Sequence, residues 1–318
     1  VEPPAPTLAG TVFRILGKEV SVRVPTRDGP RTIECYLRGR LFGEQRSETS
    51  NQLVVGDSVE LDAIEPMVGE GPFRGVIHGV RPRRTALVRR VGGRKPRIQV
   101  LAANLDQLVV VSAIVDPPYK TGLIDRYLVI AHHAGISPSL CLNKIDLGDE
   151  TALRKADQEL GTYRSIGYSV VLTSAKSGTG LPELQAILKG KRSVLAGHSG
   201  VGKSKLAAAI QPGIRLSSAD VDRHGRGRHA TTASTLFTLD FGGELVDTPG
   251  VRELSIRQVE RNDLARCFLD FRPFLERCHF TSCSHIPEPH CAVKEATEGG
   301  SISRARYESY VRLYEELS

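Results

Sequence analysis

The residues of this sequence that can do chemistry lie in a few short segments. The first, Gly197-His198-Ser199-Gly200-Val201-Gly202-Lys203-Ser204, fits the phosphate-loop pattern at every fixed position. Glycines let such a loop bend around phosphates so that several N–H groups converge, and the helix that follows adds partial positive charge. Gly197, Ser199, Gly200, Val201, Gly202, Lys203, Ser204 and Lys205 are the expected nucleotide contacts. Lys203 would reach the β- and γ-phosphate oxygens, and the Ser204 hydroxyl would ligate Mg²⁺. A glycine-rich turn by itself would say little. Here an apolar run over residues 193–197 precedes the loop and a helical pattern over 203–210 follows it, the setting that the chemistry needs.

The base is read from a second pair of segments. Asn143-Lys144-Ile145-Asp146 follows an apolar run, and Ser174-Ala175-Lys176 ends another one about thirty residues later. Asp146 can accept hydrogen bonds from guanine N1–H and the 2-amino group. Adenine has no 2-amino group and its N1 is an acceptor, so the carboxylate would face a lone pair and an unmet bond. Asn143 would hold the base and tie the neighbouring loops together, the stem of Lys144 would cover a ring face, and the Ala175 N–H would meet guanine O6. Asn-Lys-x-Asp alone is only a turn signal; the second segment makes it a guanine reader.

Two further segments would respond to the γ-phosphate. Asp247-Thr248-Pro249-Gly250 ends a short strand, with Asp247 expected to hold Mg²⁺ through water and the Gly250 N–H to sense the γ-phosphate. Upstream lies the glycine-rich, basic stretch Gly225-Arg226-Gly227-Arg228-His229-Ala230-Thr231-Thr232. Thr231, or else Thr232, would complete the Mg²⁺ shell. Val251 stands where many switch GTPases carry a water-orienting glutamine, and valine cannot position water. His229 is the local candidate for that task; the alternative is that it contacts only RNA or solvent.

Cys278, Cys283, His285 and Cys291 offer three thiolates and an imidazole, enough to close a tetrahedral structural Zn²⁺ site. His279 and His290 are alternative ligands. Cys35, Cys141 and Cys267 stand alone and read as buried reduced thiols.

These segments need elements to position them. Residues 10–80 read as short strands (11–24, 32–37, 53–61, 75–80) separated by turn residues, as in a small closed barrel of the OB type. Residues 81–97 read as a basic link, with Arg83, Arg84, Arg89, Arg90, Arg94 and Lys95 and no acid. Apolar runs at 105–112, 138–142, 169–173, 193–197 and 244–247 then alternate with helical patterns at 122–133, 150–166, 181–188 and 203–210. That rhythm implies a parallel sheet covered on both faces. From about Val259 the chain turns helical around the Cys/His segment and closes with an amphipathic stretch over 303–317. The expected architecture is therefore multidomain: barrel 1–80, basic linker 81–97, α/β P-loop GTPase domain 98–258 and a mainly helical zinc-binding domain 259–318. Of the 318 residues, 40% are hydrophobic and 25% charged, with a net charge of +7, which favours a polyanionic partner. No apolar run is long enough to span a bilayer. The opening Val-Glu-Pro-Pro-Ala-Pro lacks the features of a secretion signal and reads as a disordered lead-in.

The guanine-reading segments precede the phosphate loop and switches, so the usual GTPase order is circularly permuted, and the second switch leads directly into the C-terminal segment. With Asp247-Thr-Pro-Gly-Val-Arg-Glu253 and Ala102-Ala-Asn-Leu-Asp-Gln107, the chain resembles the RsgA/YjeQ family of small-subunit-dependent GTPases over nearly its whole length. The resemblance implies a bacterial or organellar factor that acts late in maturation of the small ribosomal subunit, with hydrolysis stimulated by the subunit and followed by release. It implies GTP/GDP and the rRNA of that subunit as partners, a cytoplasmic monomer with no membrane role, and a catalytic part for His229. The Cys278/Cys283/His285/Cys291 spacing, unlike that of common zinc fingers, matches the family's. The family usually shows His-Thr-Thr-Thr where this chain has His229-Ala230-Thr231-Thr232, which leaves open which threonine serves Mg²⁺. A kinase-like or RNA-modifying enzyme would need a second catalytic constellation that the sequence does not offer. A GTP-binding scaffold with negligible turnover is the remaining alternative, and Val251 favours it.

Overall fold

The computed structural model describes residues 7–17, 19–37, 53–64, 73–92, 97–216, 233–251 and 254–317. They form two compact units: Val1–Asp106 with Leu188–Val194 and Gly213–Val251, and Gln107–Ile187 with Leu195–Pro212 and Arg252–Ser318.

In the first unit, β1 (Thr7–Leu16), β2 (Glu19–Val24), β3 (Arg31–Leu37), β4 (Ser58–Ala63) and β5 (Phe73–Val80) form a closed five-stranded barrel. The order is β1-β2-β3-β5-β4 with β4 returning to β1; only the β3–β5 pair is parallel. Alternation drives it. Val20, Val22, Val24, Ile33, Cys35, Val59, Leu61 and Ile77 point inward and are buried together with Val12. Gly10 lies where β1 crosses β2 so closely that a Cβ would come within 2.4 Å of Val22 Cγ1. The stretch expected as one strand over 11–24 is two, β1 and β2. Residues 53–57 form a turn before β4, held by Asp57, which accepts from the Val54 N–H (2.8 Å).

The basic link is partly a strand. β6 (Ala86–Val91) pairs antiparallel with β7 (Arg97–Ala103) in a two-stranded ribbon. Its arginines hide the period-two pattern, because their long stems pack along apolar surface while their heads find partners. Arg83 grips the buried Asp57 through both carboxylate oxygens (2.7 and 2.8 Å), Arg84 bonds Asp106 (2.5 Å), and the Arg89 Nε donates to Gln99 (2.8 Å). Much of this charge is spent internally; Arg94 and Lys95 lie outside the described residues. The unit is completed by β11 (Arg192–Ala196), whose first residues run parallel to β13 (Glu244–Asp247), and by β12 (Ser234–Thr238), antiparallel to both β13 and β1. β12 has no counterpart among the expected strands.

In the second unit, β8 (Gln107–Ala113), β9 (Ser137–Asn143) and β10 (Val170–Leu172) are parallel in the order β10-β9-β8. Every residue of β8 is buried, Gln107 and Ser112 along with the apolar Leu108–Val111 run, as a strand covered on both faces of a parallel sheet would be. The helices are α1 (Thr121–His133), α2 (Glu150–Ile166), α3 (Leu181–Leu188) and α4 (Lys203–Ile210). Asp149 caps α2 by accepting from the Ala152 N–H (2.7 Å), and Gly167 ends it in the left-handed region. The C-terminal part is helical turns, α5 (Arg272–Leu275), α6 (Ala292–Glu298) and α7 (Arg304–Glu316). Phe268, Phe271 and Tyr310 pack ring to ring, 4.9–5.4 Å between centroids. Buried Arg306 of α7 bridges Asp125 of α1 and Asp270, the latter at 2.7 Å, and so locks the tail onto the sheet-covering helices. Among the described residues no helix is long and apolar enough to cross a membrane.

Candidate guanine-nucleotide site and metal centre

The loops that leave β9, β10 and β11 meet around one side chain. Asn143, 1% exposed at the end of β9, donates from Nδ2 to the Val201 carbonyl of the phosphate loop (3.0 Å). Its Oδ1 accepts from the Ala175 N–H (3.3 Å) and the Thr173 hydroxyl (3.3 Å). Residues 58 positions apart are thus joined by one hydrogen bond. Lys144 sits in the left-handed region (φ 62°) and starts the turn Ile145–Leu147, which carries Asp146. The Ser174 hydroxyl, itself buried, donates to Asp146 Oδ1 (2.6 Å) and aims an exposed carboxylate. Lys176 is exposed beside it.

The phosphate loop runs from Gly197 to the start of α4. Gly197 (φ 147°) passes so close to β8 that a Cβ would lie 2.0 Å from the Val111 carbonyl oxygen, and one on Gly202 would lie 2.5 Å from Asn143 Nδ2. Lys203 Nζ donates to the Gly197 and His198 carbonyls (2.8 and 2.9 Å), Ser204 is half-buried and Lys205 exposed. One contributor escaped the sequence reading. The loop after β8 supplies the Asp116 carbonyl, which accepts from Lys144 Nζ, and Pro117, whose Cδ lies 3.3 Å from where a Gly200 Cβ would stand. Its signal was the Asp116-Pro117-Pro118 turn at a strand end. The loop that carries Asp146 is thereby tied to the phosphate loop and the start of α4, a helix N-terminus of the kind that favours anions.

In the first unit, β13 ends at half-buried Asp247. Thr248 is buried and its hydroxyl lies 3.1 Å from that of Ser234; Val251 is buried at 5% exposure. Gly250 between them has φ 99°. His229, Thr231 and Thr232 lie outside the described residues.

Cys278, Cys283, His285 and Cys291 converge, with ligand atoms all within 4.8 Å of one another. Cys278 Sγ and Cys291 Sγ are 4.0 Å apart, and each lies 3.5 or 3.4 Å from His285 Nδ1. A tetrahedral ion with metal–sulfur bonds of about 2.3 Å and metal–nitrogen bonds of about 2.0–2.1 Å needs separations of about 3.8 and 3.6 Å, so the donor set fits. The ligand loop is braced from outside. Tyr307 and Tyr310 hydroxyls donate to the His285 and Ser284 carbonyls (both 2.7 Å). Glu288 accepts from Ser284 and Ile286; burial alone would raise its carboxyl, but those hydrogen bonds hold it down at about 2. His279 and His290 pack against each other (6.3 Å between centroids) and stand outside the cluster. The lone cysteines are inert: burial pushes the Cys35 and Cys141 thiols up to about 12 and that of Cys267 to about 11.

Sequence profiles and structures of known proteins match this chain over most of its length. The profile of the RsgA GTPase family matches residues 80–257. The protein named small ribosomal subunit biogenesis GTPase RsgA of Chlorobaculum tepidum is 40% identical over 98% of this chain and 99% of its own length. That of Thermotoga maritima is 40% identical over 93% and 92%. The crystal structure of YjeQ from Thermotoga maritima superposes with a TM-score of 0.79 at 37% identity, covering 98% of this chain and 99% of that one. YloQ, described as a circularly permuted GTPase, superposes at 0.76 with 30% identity over 100% and 97%. With an OB-type barrel, a P-loop domain of permuted motif order and a helical Cys/His tail, the chain belongs to the RsgA GTPase family.

Proposed function

We propose that this protein hydrolyses GTP to GDP and phosphate on the small ribosomal subunit, late in maturation of that particle, with turnover stimulated by the subunit and coupled to release. The observation that carries the proposal is the Asn143–Val201 hydrogen bond, which holds the base-reading loop against the phosphate loop. Asp146 would accept from guanine, Ala175 would donate to its O6, and Lys144, Ser174 and Lys176 would frame the base. The N–H groups of residues 197–205 and Lys203 would hold the phosphates. Ser204, Asp247 and Thr231 or Thr232 would hold Mg²⁺, which when bound neutralises charge on the β- and γ-oxygens. Gly250 would sense the γ-phosphate. His229 would orient the attacking water, since Val251 cannot. The tail cluster would hold one structural Zn²⁺. Barrel, basic segment and tail (1–80, 81–97 and 259–318) would grip rRNA while residues 98–258 cycle, in a monomeric cytoplasmic factor. Names of relatives that refer to small-subunit biogenesis support this partner.

Adding purified small subunits should raise GTP turnover many-fold, and His229→Ala should remove most of that stimulated rate, about 10²-fold or more, while sparing GTP binding. Val251 favours a second reading, a GTP-binding scaffold; turnover that stays flat with subunits present would support it.

A further inference from the structure

We propose that Arg89 is a positioning residue of the segment 247–250: its guanidinium, laid against the bare Cα of Gly250, sets how readily that segment takes its γ-phosphate-bound arrangement. The inference deepens the proposed function and rests on reading 247–250 as the γ-phosphate sensor. A Cβ on Gly250 would come within 2.7 Å of Arg89 Nη1, 2.9 Å of Cζ and 3.2 Å of Nε, so the guanidinium fills the space that a side chain would take. Arg89 is aimed there by its strand. On β6 the next residue, Arg90, is exposed, whereas half-buried Arg89 turns toward Gln99 of β7 and is held by the 2.8 Å bond to it. The neighbours of Gly250 are anchored, Thr248 beside Ser234 and Val251 in the core. Gly250 sits at φ 99°, in the left-handed region that glycine enters and leaves at little steric cost, and is where the proposal places the change between the two arrangements. The guanidinium bounds that motion on one side. It also places positive charge against Gly250, the residue proposed to meet an oxyanion that GTP has and GDP lacks.

The test is calorimetric affinity for GDP and for a non-hydrolysable GTP analogue, both with Mg²⁺, in the full chain. Arg89→Met keeps the apolar stem and should weaken analogue binding by roughly tenfold, inside the 5–150-fold range of such couplings, while GDP affinity stays within about twofold. Arg89→Lys, which retains charge without the planar fork, should fall between Arg89→Met and the native protein. An unchanged analogue-to-GDP ratio in Arg89→Met, or an equal loss for both nucleotides, overturns the inference. Asp247→Ala separates the two levels: if it leaves analogue affinity intact, the sensor reading fails and the inference with it. If Asp247→Ala weakens the analogue and Arg89→Met does not, the inference alone fails.

Discussion

Asp146→Ala should weaken GDP binding by about 10²–10⁴-fold while leaving the protein folded. Each hydrogen bond to a charged group contributes about 1.5–3 kcal/mol, two would be lost from the guanine edge, and about 1.4 kcal/mol is tenfold in affinity. Folding should be spared because Asp146 is exposed and its partner Ser174 keeps hydrogen bonds from the N–H groups of Lys176 and Ser177 (3.2 and 3.1 Å). Asp146→Asn sharpens the point. An amide can donate to the C2 carbonyl of xanthine, which stands where guanine has its amino group, so this variant should favour XDP over GDP. Calorimetry with GDP and XDP checks both; a native-like GDP affinity in Asp146→Ala would show that this carboxylate does not read the base.

Stripping metal from the tail should be the largest stability effect. Structural zinc contributes about 10–16 kcal/mol to small domains built around it, as much as the whole net stability of a typical domain. The loss should be local. The ligand loop would be tied together by a bound ion and is braced by Tyr307 and Tyr310, whereas α7 is independently locked by Arg306 and by packing of Phe268, Phe271 and Tyr310. A chelator, or Cys291→Ala, should therefore abolish amide-exchange protection over residues 278–291 while α7 stays protected. Metal analysis of the native chain should return one zinc per molecule. Protection unchanged after chelation would mean that the cluster is four reduced side chains and no metal site.

How far the sequence was legible follows from what sets each feature. The segments expected to hold a nucleotide carry the clearest signal because such chemistry constrains both residue type and spacing: only glycine passes Val111 at position 197, and a carboxylate at position 146 is what reading a guanine edge would require. The barrel core was readable from alternation at Val20, Val22 and Val24. The β6–β7 ribbon was not, because arginines that are paired inside the protein look like solvent-facing charge until Asp57, Asp106 and Gln99 are seen beside them. Nor was the Asp116–Pro117 loop, whose part is played by a backbone carbonyl and a ring edge, so that its Asp-Pro-Pro turn marks a strand end without marking a contact. β12 was missed because five residues with a single buried apolar side chain, Leu236, carry little periodic signal.

Titration of the native chain with GDP and with ADP in the presence of Mg²⁺ tests most directly whether the loop carrying Asp146 and the loop carrying Lys203 grip a single guanine nucleotide. GDP should bind about 10³-fold or more tightly than ADP, because adenine leaves the carboxylate unpaired against a lone pair. Equal affinities would contradict guanine recognition at this site.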